Sequence, residues 1–225
     1  MAAAHRESRS LATQAREPDG EHMDHQEEHR IGEYAVRRAR PEDVEGARRV
    51  MLDTFYKEFG HGYHARWHSD VVDIEGAYLK NPRHALFVAV RDGEVAATTA
   101  IRSGGPRCPP HPEWLAARYG DGSTAQLFRV YVDRQHRRNG LASALVSMAC
   151  DFVADTPEYS TIYLHTNPAI EGAAPFWRSA ATEIYDARED SRYSPSVHFE
   201  IPIPGRSSAR PGEAAFAFPD VDYAG

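Results

Sequence analysis

The chain has 225 residues, of which 41% are hydrophobic and 26% are charged, a composition typical of a soluble protein with one core-forming domain. The formal net charge of −7 argues against non-specific nucleic-acid binding and against an anionic membrane surface as the main partner. The absence of a long apolar run and of an apolar signal core predicts a cytoplasmic protein, and two widely spaced cysteines predict neither a disulfide framework nor a metal site.

Both ends of the chain are expected to lie outside the folded domain. Residues 1–33 are polar and lack periodicity, which predicts a disordered N-terminal tail. Residues 204–225 are rich in Pro, Gly and Ala, which predicts a loose C-terminal tail. A single domain is therefore predicted over residues 34–203.

The domain is predicted to begin with an edge strand at residues 34–39, followed by a helix. Pro41 suits the first helical position, and Gly60 suits the helix end. Residues 61–70 contain several histidines and aromatic side chains but show no clean pair of metal ligands. We interpret them as an aromatic surface or as the lining of a substrate pocket. Between Pro41 and Gly60, apolar residues recur at helical spacing: Val44, Ala47, Met51 and Phe55.

The middle of the chain is predicted to form a β-hairpin and a long loop. Residues 85–90 and 95–101 are apolar, and an Asp-Gly pair between them supplies a two-residue turn. Residues 103–124 are rich in Gly and Pro, with a short helix predicted at residues 113–119. Loops of this length inside a domain are often functional.

Further strands and helices alternate in the second half of the domain. The predicted elements are a strand at 125–132, a helix from Leu141, a strand at 161–166, a helix at 172–180, and strands within 183–187 and 196–203. This order of elements predicts an α/β or α+β domain with a mixed sheet.

A basic, glycine-containing turn connects the strand at 125–132 to the helix that follows it. The first turn of a helix has unpaired backbone N–H groups at the positive end of its dipole, and it therefore binds phosphate. Gly140 allows close approach of the backbone, while Arg137 and Arg138 add positive charge. The turn lacks the residues of a Walker loop and of a Rossmann fingerprint. An ordinary helix start with solvated arginines is the alternative interpretation.

The stretch VYVDRQHRRNGLASALV, residues 130–146, resembles the acetyl-CoA-binding motif of the GCN5-related N-acetyltransferase (GNAT) superfamily. In that family a strand is followed by Arg/Gln-x-x-Gly-x-Gly/Ala, which is matched here by residues 137–142. The resemblance extends over residues 34–203 and implies the GNAT fold, a splayed mixed β-sheet flanked by helices. Acetyl-CoA would lie in the gap between the strand before the motif and the next strand of the sheet.

The resemblance also implies which residues hold the cofactor. Backbone amides of residues 138–142 would bind the pyrophosphate, and the backbone of the preceding strand would pair with the pantetheine arm. The predicted cofactor-binding residues are Val130, Tyr131, Val132, Arg137, Arg138, Asn139, Gly140, Leu141 and Ala142.

The sequence departs from the family pattern at several positions. Arg134 replaces a usual proline, His136 replaces an aromatic residue, and Arg138 and Ala142 stand where glycine is common. A second departure is Trp177, which aligns with a tyrosine that protonates the departing thiolate in many members. An indole cannot deliver that proton, so we expect Trp177 to pack or to line the cofactor channel. Three tyrosines remain as alternative acids: Tyr131, Tyr163 and Tyr185.

By this likeness the protein is an N-acetyltransferase that moves an acetyl group directly from acetyl-CoA to a primary amine. The amine must lose a proton, and His165 and Asp133, each near the end of a central strand, are the candidate catalytic bases. Cys150 falls on the apolar face of its helix, so no cysteine acyl intermediate is expected.

The predicted acceptor is a small metabolite, an antibiotic or a biosynthetic intermediate, because the long loop and the histidine-rich segment would narrow the acceptor cleft. A peptide or protein amine and a catalytically weak acyl-CoA-binding module remain as alternatives. A homodimer is compatible with these predictions.

Overall fold

The computed structural model describes residues 28–203 and Arg206. The predicted N-terminal tail up to residue 27 therefore lies outside the described residues, as does the predicted C-terminal tail apart from Arg206. The Arg206 guanidinium donates hydrogen bonds to the carbonyl oxygens of Ala154, at 2.7 Å, and of Thr156, at 2.6 Å. Arg206 thus binds carbonyl groups at the C-terminal end of the helix that ends at Asp155.

Within the described residues, eight strands form one mixed sheet in the order β1-β2-β3-β4-β5-β6-β8-β7. Neighbouring strands are antiparallel except for β5 and β6, which run parallel. This arrangement confirms the predicted fold class. The strands are β1 (His29–Ile31), β2 (Tyr34–Arg38), β3 (Ala85–Arg91), β4 (Glu94–Ser103), β5 (Thr124–Val132), β6 (Thr161–Thr166), β7 (Thr182–Asp186) and β8 (Val197–Pro202).

Helices cover both faces of this sheet. They are α1 (Val44–Asp53), α2 (Ser69–Val72), α3 (Glu113–Arg118), α4 (Leu141–Asp155) and α5 (Ala173–Ala180). Single π-helical turns at Thr54–Glu58 and Glu75–Leu79 add to them. In the described part of the chain, no helix has both the length and the apolar character needed to cross a membrane.

Strand β3 shows how the two faces of the sheet become buried. Leu86 and Val88 belong to the core under α1, whereas Phe87 and Ala89 belong to the core under α4. Successive side chains of a strand point to opposite faces, so a strand buried on both sides needs an unbroken apolar run. This explains why residues 85–90 contain no polar residue.

The predicted β-hairpin is confirmed. Arg91 pairs with Glu94 across the turn, and Asp92 and Gly93 between them have φ values of 54° and 80°. Positive φ at both central residues matches the turn type that Asp-Gly favours, because it follows the twist of the two strands.

The N-terminal boundary of the domain differs from the prediction. Residues His29–Ile31 form β1, which pairs antiparallel with β2 through a turn at Gly32, whose φ is +56°. The prediction of a disordered tail up to residue 33 is therefore wrong for this strand. Two of the three residues in β1 are exposed, so the strand has no apolar pattern that sequence analysis could detect.

Candidate active site

Strands β5 and β6 separate after a short paired segment, and the gap between their distal parts is called the cleft. The two strands pair only at Thr124 with Thr161, Ala125 with Ile162, and Gln126 with Tyr163. Beyond these pairs β5 continues alongside β4 as far as Val132, while β6 continues alongside β8 as far as Thr166. Among the described residues, no strand pairs with the other side of the distal part of β5, and an extended ligand can pair there.

A β-bulge shapes the side of the cleft formed by β5. The register shifts between Thr98 and Ala100 on β4, and Arg129 opposite them has a φ of 55°. The Thr98 hydroxyl donates a hydrogen bond of 2.9 Å to the Arg129 carbonyl. A positive φ is uncommon outside glycine, and such strain persists where the surrounding structure fixes it.

The Arg129 side chain anchors this bulge to α2. Its guanidinium binds both carboxylate oxygens of Asp70, at 2.7 and 2.9 Å, and donates a third bond of 2.8 Å to the Trp67 carbonyl. Burial alone would raise the pKa of Asp70, but the hydrogen bonds and charge of Arg129 hold it below its ordinary value. Sequence analysis missed this pair because nothing in the sequence marks residue 129 as a bulge.

The predicted cofactor turn lies at the end of the β5 side of the cleft. Arg138 and Gly140 both have positive φ, 66° and 74°, and α4 begins at Leu141 with no side chain capping its first turn. The first backbone N–H groups of α4 are therefore unpaired by any side-chain cap, as an anion-binding helix start requires. Residues 137–140 are exposed, Ala142 is half-buried and the side chain of Leu141 lies in the core.

The two arginines of this turn, Arg137 and Arg138, differ in the contacts of their side chains. The Arg137 guanidinium donates a bond of 3.3 Å to the Val132 carbonyl and forms an ion pair of 3.1 Å with Glu58. Arg138 is exposed, and no described residue forms a hydrogen bond or ion pair with its side chain. The Arg137 side chain is therefore held by the end of β5 and by Glu58, whereas the Arg138 side chain is available to a ligand.

Asp133 caps the short 3-10 turn at Arg134–His136. Its carboxylate accepts a bond of 3.2 Å from the Gln135 N–H and pairs with Arg49, also at 3.2 Å. Partial burial raises the pKa of Asp133, but these two partners outweigh it and lower the net pKa below the ordinary value. No hydrogen bond or ion pair joins Asp133 to His165, so the structure does not bring the two predicted bases together.

His165 lies on β6 beyond the splay, beside two further histidines. Its ring centroid is 4.6 Å from that of His111, in the long loop before α3, and 5.7 Å from that of His198 on β8. His165 pairs in register with His198, and its Nδ1 lies 3.4 Å from the Tyr163 hydroxyl. His111 is buried, and its Nδ1 has no hydrogen-bond partner in the described structure.

The three imidazoles are neutral near neutral pH. His165 is exposed to solvent, but desolvation by the protein around its ring lowers its pKa well below the usual value, and His111 and His198 lower it further. Burial also lowers the pKa of His111, and it lowers the pKa of His198 to about 3. Sequence analysis missed His111 and His198 because strand register and loop path bring them to His165.

The histidine-rich segment packs as an aromatic cluster beside β5. His68 stacks on Phe55 with centroids 4.0 Å apart, and Phe55 meets the Tyr131 ring edge-on at 5.9 Å. Burial and the nearby Arg129 lower the pKa of His68 to about 4. Among residues 28–203 and Arg206, no group of three or more His, Cys, Asp and Glu side chains has the arrangement of a metal site.

The surroundings of Trp177 and Cys150 do not suit a catalytic role for either residue. Trp177 belongs to the core under α4 and is 6% exposed, with the Phe176 ring 4.9 Å away. Cys150 is half-buried, and burial together with Asp151 raises the pKa of its thiol to about 11. The thiol is therefore protonated near neutral pH, which disfavours it as a nucleophile.

Comparison with known proteins identifies relatives over this same region. The family model described as the acetyltransferase (GNAT) family matches residues 44–181. The chain is 28% identical over 135 residues to human N-acetylaspartate synthetase, covering 60% of this chain and 37% of that protein. It is 33% identical over 112 residues to mouse N-acetyltransferase 8, covering 50% of this chain and 44% of that protein. The match thus spans less than half the length of each relative.

Solved structures show the same fold. A GNAT-family acetyltransferase from Staphylococcus aureus Mu50 superimposes with a TM-score of 0.58 at 15% identity, covering 76% of this chain and 99% of that one. The GNAT domain of S. lividans PAT superimposes with a TM-score of 0.53 at 17% identity, covering 75% of this chain and 90% of that one.

Proposed function

Because this chain belongs to the acetyltransferase (GNAT) family, we propose that it moves an acetyl group directly from acetyl-CoA to a primary amine on a small molecule. One observation carries the proposal. Strand β5 leaves β6 after Gln126, so the cleft has the unpaired edge of β5 and the uncapped start of α4 on one side, and His165 on the other.

The donor fits the β5 side of the cleft. The backbone of Val130, Tyr131 and Val132 offers hydrogen-bonding groups to the pantetheine arm, as an added strand would. The N–H groups of residues 138–142 offer a cradle for the pyrophosphate, with the free side chain of Arg138 beside it. Acetyl-CoA, when bound, supplies the acetyl group and the thiolate leaving group.

The base fits the β6 side of the cleft. An amine attacks only in its neutral form, and His165, an exposed residue on β6 beyond the point where β6 leaves β5, has a neutral ring near neutral pH. Asp133 is held by Gln135 and Arg49 and is a weak base, so we assign the proton acceptor to His165 and a structural role to Asp133. A backbone N–H near Val132 suits the oxyanion that forms during attack.

Protonation of the leaving thiolate is the less demanding step. A thiol with a pKa of about 8.5 is already a fair leaving group, and general acid catalysis adds roughly 10²–10⁴-fold. Of the three candidate tyrosines, Tyr185 donates its proton to Asp190 and Tyr163 bonds to His198. Tyr131, half-buried at the end of β5, is therefore the candidate acid.

An amino acid is the acceptor class that we propose to test first. Some relatives are named for N-acetylaspartate synthesis, and Arg102 offers a cation at the point where the strands separate. Its guanidinium lies 4.5 Å from the centroid of the Phe128 ring and 3.4 Å from the Gln126 amide oxygen. Burial lowers the pKa of Arg102, and no carboxylate of the described residues forms an ion pair with it. A substrate carboxylate would meet that need.

Product analysis tests this function. The protein is incubated with acetyl-CoA and a panel of amino acids and other primary amines, and products are identified by mass spectrometry while free coenzyme A is measured. We expect an acetylated amine and one equivalent of coenzyme A. Binding of acetyl-CoA without any product would instead assign the chain to the acyl-CoA-binding class, an alternative consistent with a tryptophan in place of the family's tyrosine.

A further inference from the structure

A chain of hydrogen bonds leads from the backbone carbonyl of Ser194 to the candidate base. The Ser196 hydroxyl lies 3.0 Å from the Ser194 carbonyl and 2.9 Å from His198 Nε2. His198 Nδ1 lies 2.7 Å from the Tyr163 hydroxyl, which lies 3.4 Å from His165 Nδ1. We propose that this chain holds His165 in its Nδ1–H tautomer and leaves the Nε2 lone pair open to the cleft. The proposal rests on the proposed function and makes Ser196, His198 and Tyr163 positioning residues.

The Ser194 carbonyl decides the direction of the chain. Each neutral imidazole and each hydroxyl carries one proton to donate. The donated protons could therefore all point towards Ser194 or all point towards His165. A carbonyl oxygen only accepts, so the single Ser196 proton is given to Ser194. Ser196 must then accept from His198, which places the His198 proton on Nε2.

The proton on His198 in turn determines the proton positions on Tyr163 and His165. His198 is fully buried, and burial lowers its pKa to about 3, so it is neutral and its Nδ1 is a lone pair. Tyr163 is also fully buried, and burial raises its pKa well above the ordinary value, so it keeps its proton and donates it to His198. The Tyr163 oxygen then accepts from the Nδ1–H of His165. This last bond is the longest in the chain and the weakest.

The predicted tautomer suits a general base. No described residue forms a hydrogen bond with Nε2 of His165, and the residue is exposed to solvent. During attack, the N–H bond of the amine breaks and an Nε2–H bond forms, and the proton later passes to water. The resulting imidazolium keeps its Nδ1–H bond to Tyr163, which strengthens because the donor is now charged.

No carboxylate takes part in this chain. The groups that face His165 are His111 from the long loop, Tyr163 on its own strand, His198 on β8, and Arg102 and Arg129 on β4 and β5. None of them is negatively charged near neutral pH, so none raises the pKa of His165, which desolvation lowers. The hydrogen-bond chain therefore orients the base without raising its basicity, unlike the aspartate of a Ser-His-Asp triad.

Nuclear magnetic resonance of the full chain tests the tautomer without any substrate. Long-range ¹H–¹⁵N correlation at neutral pH distinguishes the protonated ring nitrogen of each histidine, and loss of signals in His165→Gln and His198→Gln assigns the two residues. We expect Nδ1–H at His165 and Nε2–H at His198. A histidine in free solution favours Nε2–H, so the result at His165 is diagnostic. The opposite pair of tautomers would overturn the proposal, whether or not the protein transfers acetyl groups.

Variants test whether the chain causes the tautomer. Tyr163→Phe should shift His165 to Nε2–H and lower kcat about tenfold, while leaving the KM for acetyl-CoA unchanged. Tyr185→Phe is the matched control, because it removes a hydroxyl from another ring beside His198 that bonds to Asp190 instead. Equal tautomer shifts in both variants, or a shift in neither, would contradict the proposal.

A second variant covers the case in which Tyr163→Phe unfolds. Ser196→Ala removes the group that connects the chain to the Ser194 carbonyl and deletes one buried oxygen atom. We expect mixed tautomers at both His198 and His165, with an unchanged thermal transition by circular dichroism. An unchanged Nδ1–H tautomer at His165 would show that the Ser194 carbonyl does not set the direction.

Discussion

Gln126 on β5 and Tyr163 on β6 form the last parallel pair before the two strands separate. The Gln126 amide oxygen also accepts a hydrogen bond from the Arg102 guanidinium. The Tyr163 hydroxyl lies within hydrogen-bond distance of His165 Nδ1. The point at which the sheet opens is thus joined to the candidate acceptor-binding cation on one side and to the candidate base on the other.

Arg102 is predicted to set the affinity for the acceptor. Arg102→Gln should raise the KM for an amino-acid acceptor about 10–100-fold, because a charge-assisted hydrogen bond contributes about 1.5–3 kcal/mol. The KM for acetyl-CoA should not change. Arg107→Gln is the control, since Arg107 is an exposed cation in the adjoining loop. An unchanged acceptor KM in Arg102→Gln, or the same rise in both variants, would contradict the role of Arg102.

Asp70 is predicted to stabilise the β5 side of the cleft. Asp70→Asn removes the charge that pairs with the buried Arg129, and loss of one member of a buried pair costs about 3–5 kcal/mol. Urea unfolding followed by fluorescence measures this change. Asp186→Asn is the control, since its partner Arg188 is exposed and water screens the pair, which therefore contributes little to stability. Similar losses in the two variants would contradict the account.

The same pair predicts how stability depends on pH. The folded-state pKa of Asp70 is lower than its ordinary value of 3.8, so the stabilisation is present above that pH. It is lost as the pH falls below 3.8, through the folded-state pKa. Asp70→Asn should therefore flatten the dependence of the unfolding free energy on pH in this acidic range. An unchanged slope would show that another group controls it.

His165 is predicted to control the acidic limb of the kcat/KM profile. Activity should fall as the pH drops through the lowered pKa of His165, well below 6.5, because protonation removes the base. His165→Ala should remove this limb and lower kcat. Asp133→Asn and Trp177→Phe should leave its midpoint in place. A limb that disappears in Asp133→Asn instead would reassign the base to Asp133.

Truncation tests the revised N-terminal boundary. A chain that begins at Glu28 should retain the melting temperature and turnover of the full chain. A chain that begins at Tyr34 lacks β1 and should lose about 1–2 kcal/mol of stability, because the backbone hydrogen bonds to β2 are gone. Equal melting temperatures for the two shortened chains would show that β1 contributes nothing.

The sequence predicted local elements well where one pattern decides the structure. Three such predictions are confirmed: the strand at residues 85–90, the Asp-Gly turn, and the helix that begins at Leu141. β1 escaped prediction because an exposed strand of three residues buries too little apolar surface to leave a pattern.

The contacts within the cleft depend on tertiary structure. His111, His198 and His165 are far apart in the chain and meet because of the register of β6 with β8 and the path of the long loop. The bulge at Arg129 is accompanied by the pairing of its side chain with Asp70 on α2, a partner that lies 59 residues away. No local propensity specifies either arrangement.

The central claim is that acetyl-CoA binds between β5 and the start of α4. The most direct test is calorimetric titration of acetyl-CoA into Gly140→Asp and into the control Gly93→Asp. Both glycines have positive φ, 74° and 80°, with open space around them, so the two variants bear similar backbone strain and the same added charge. The account predicts at least a tenfold loss of affinity in Gly140→Asp, because a carboxylate beside the phosphates repels them, and unchanged affinity in Gly93→Asp. Unchanged affinity in Gly140→Asp, or equal losses in both variants, would contradict it.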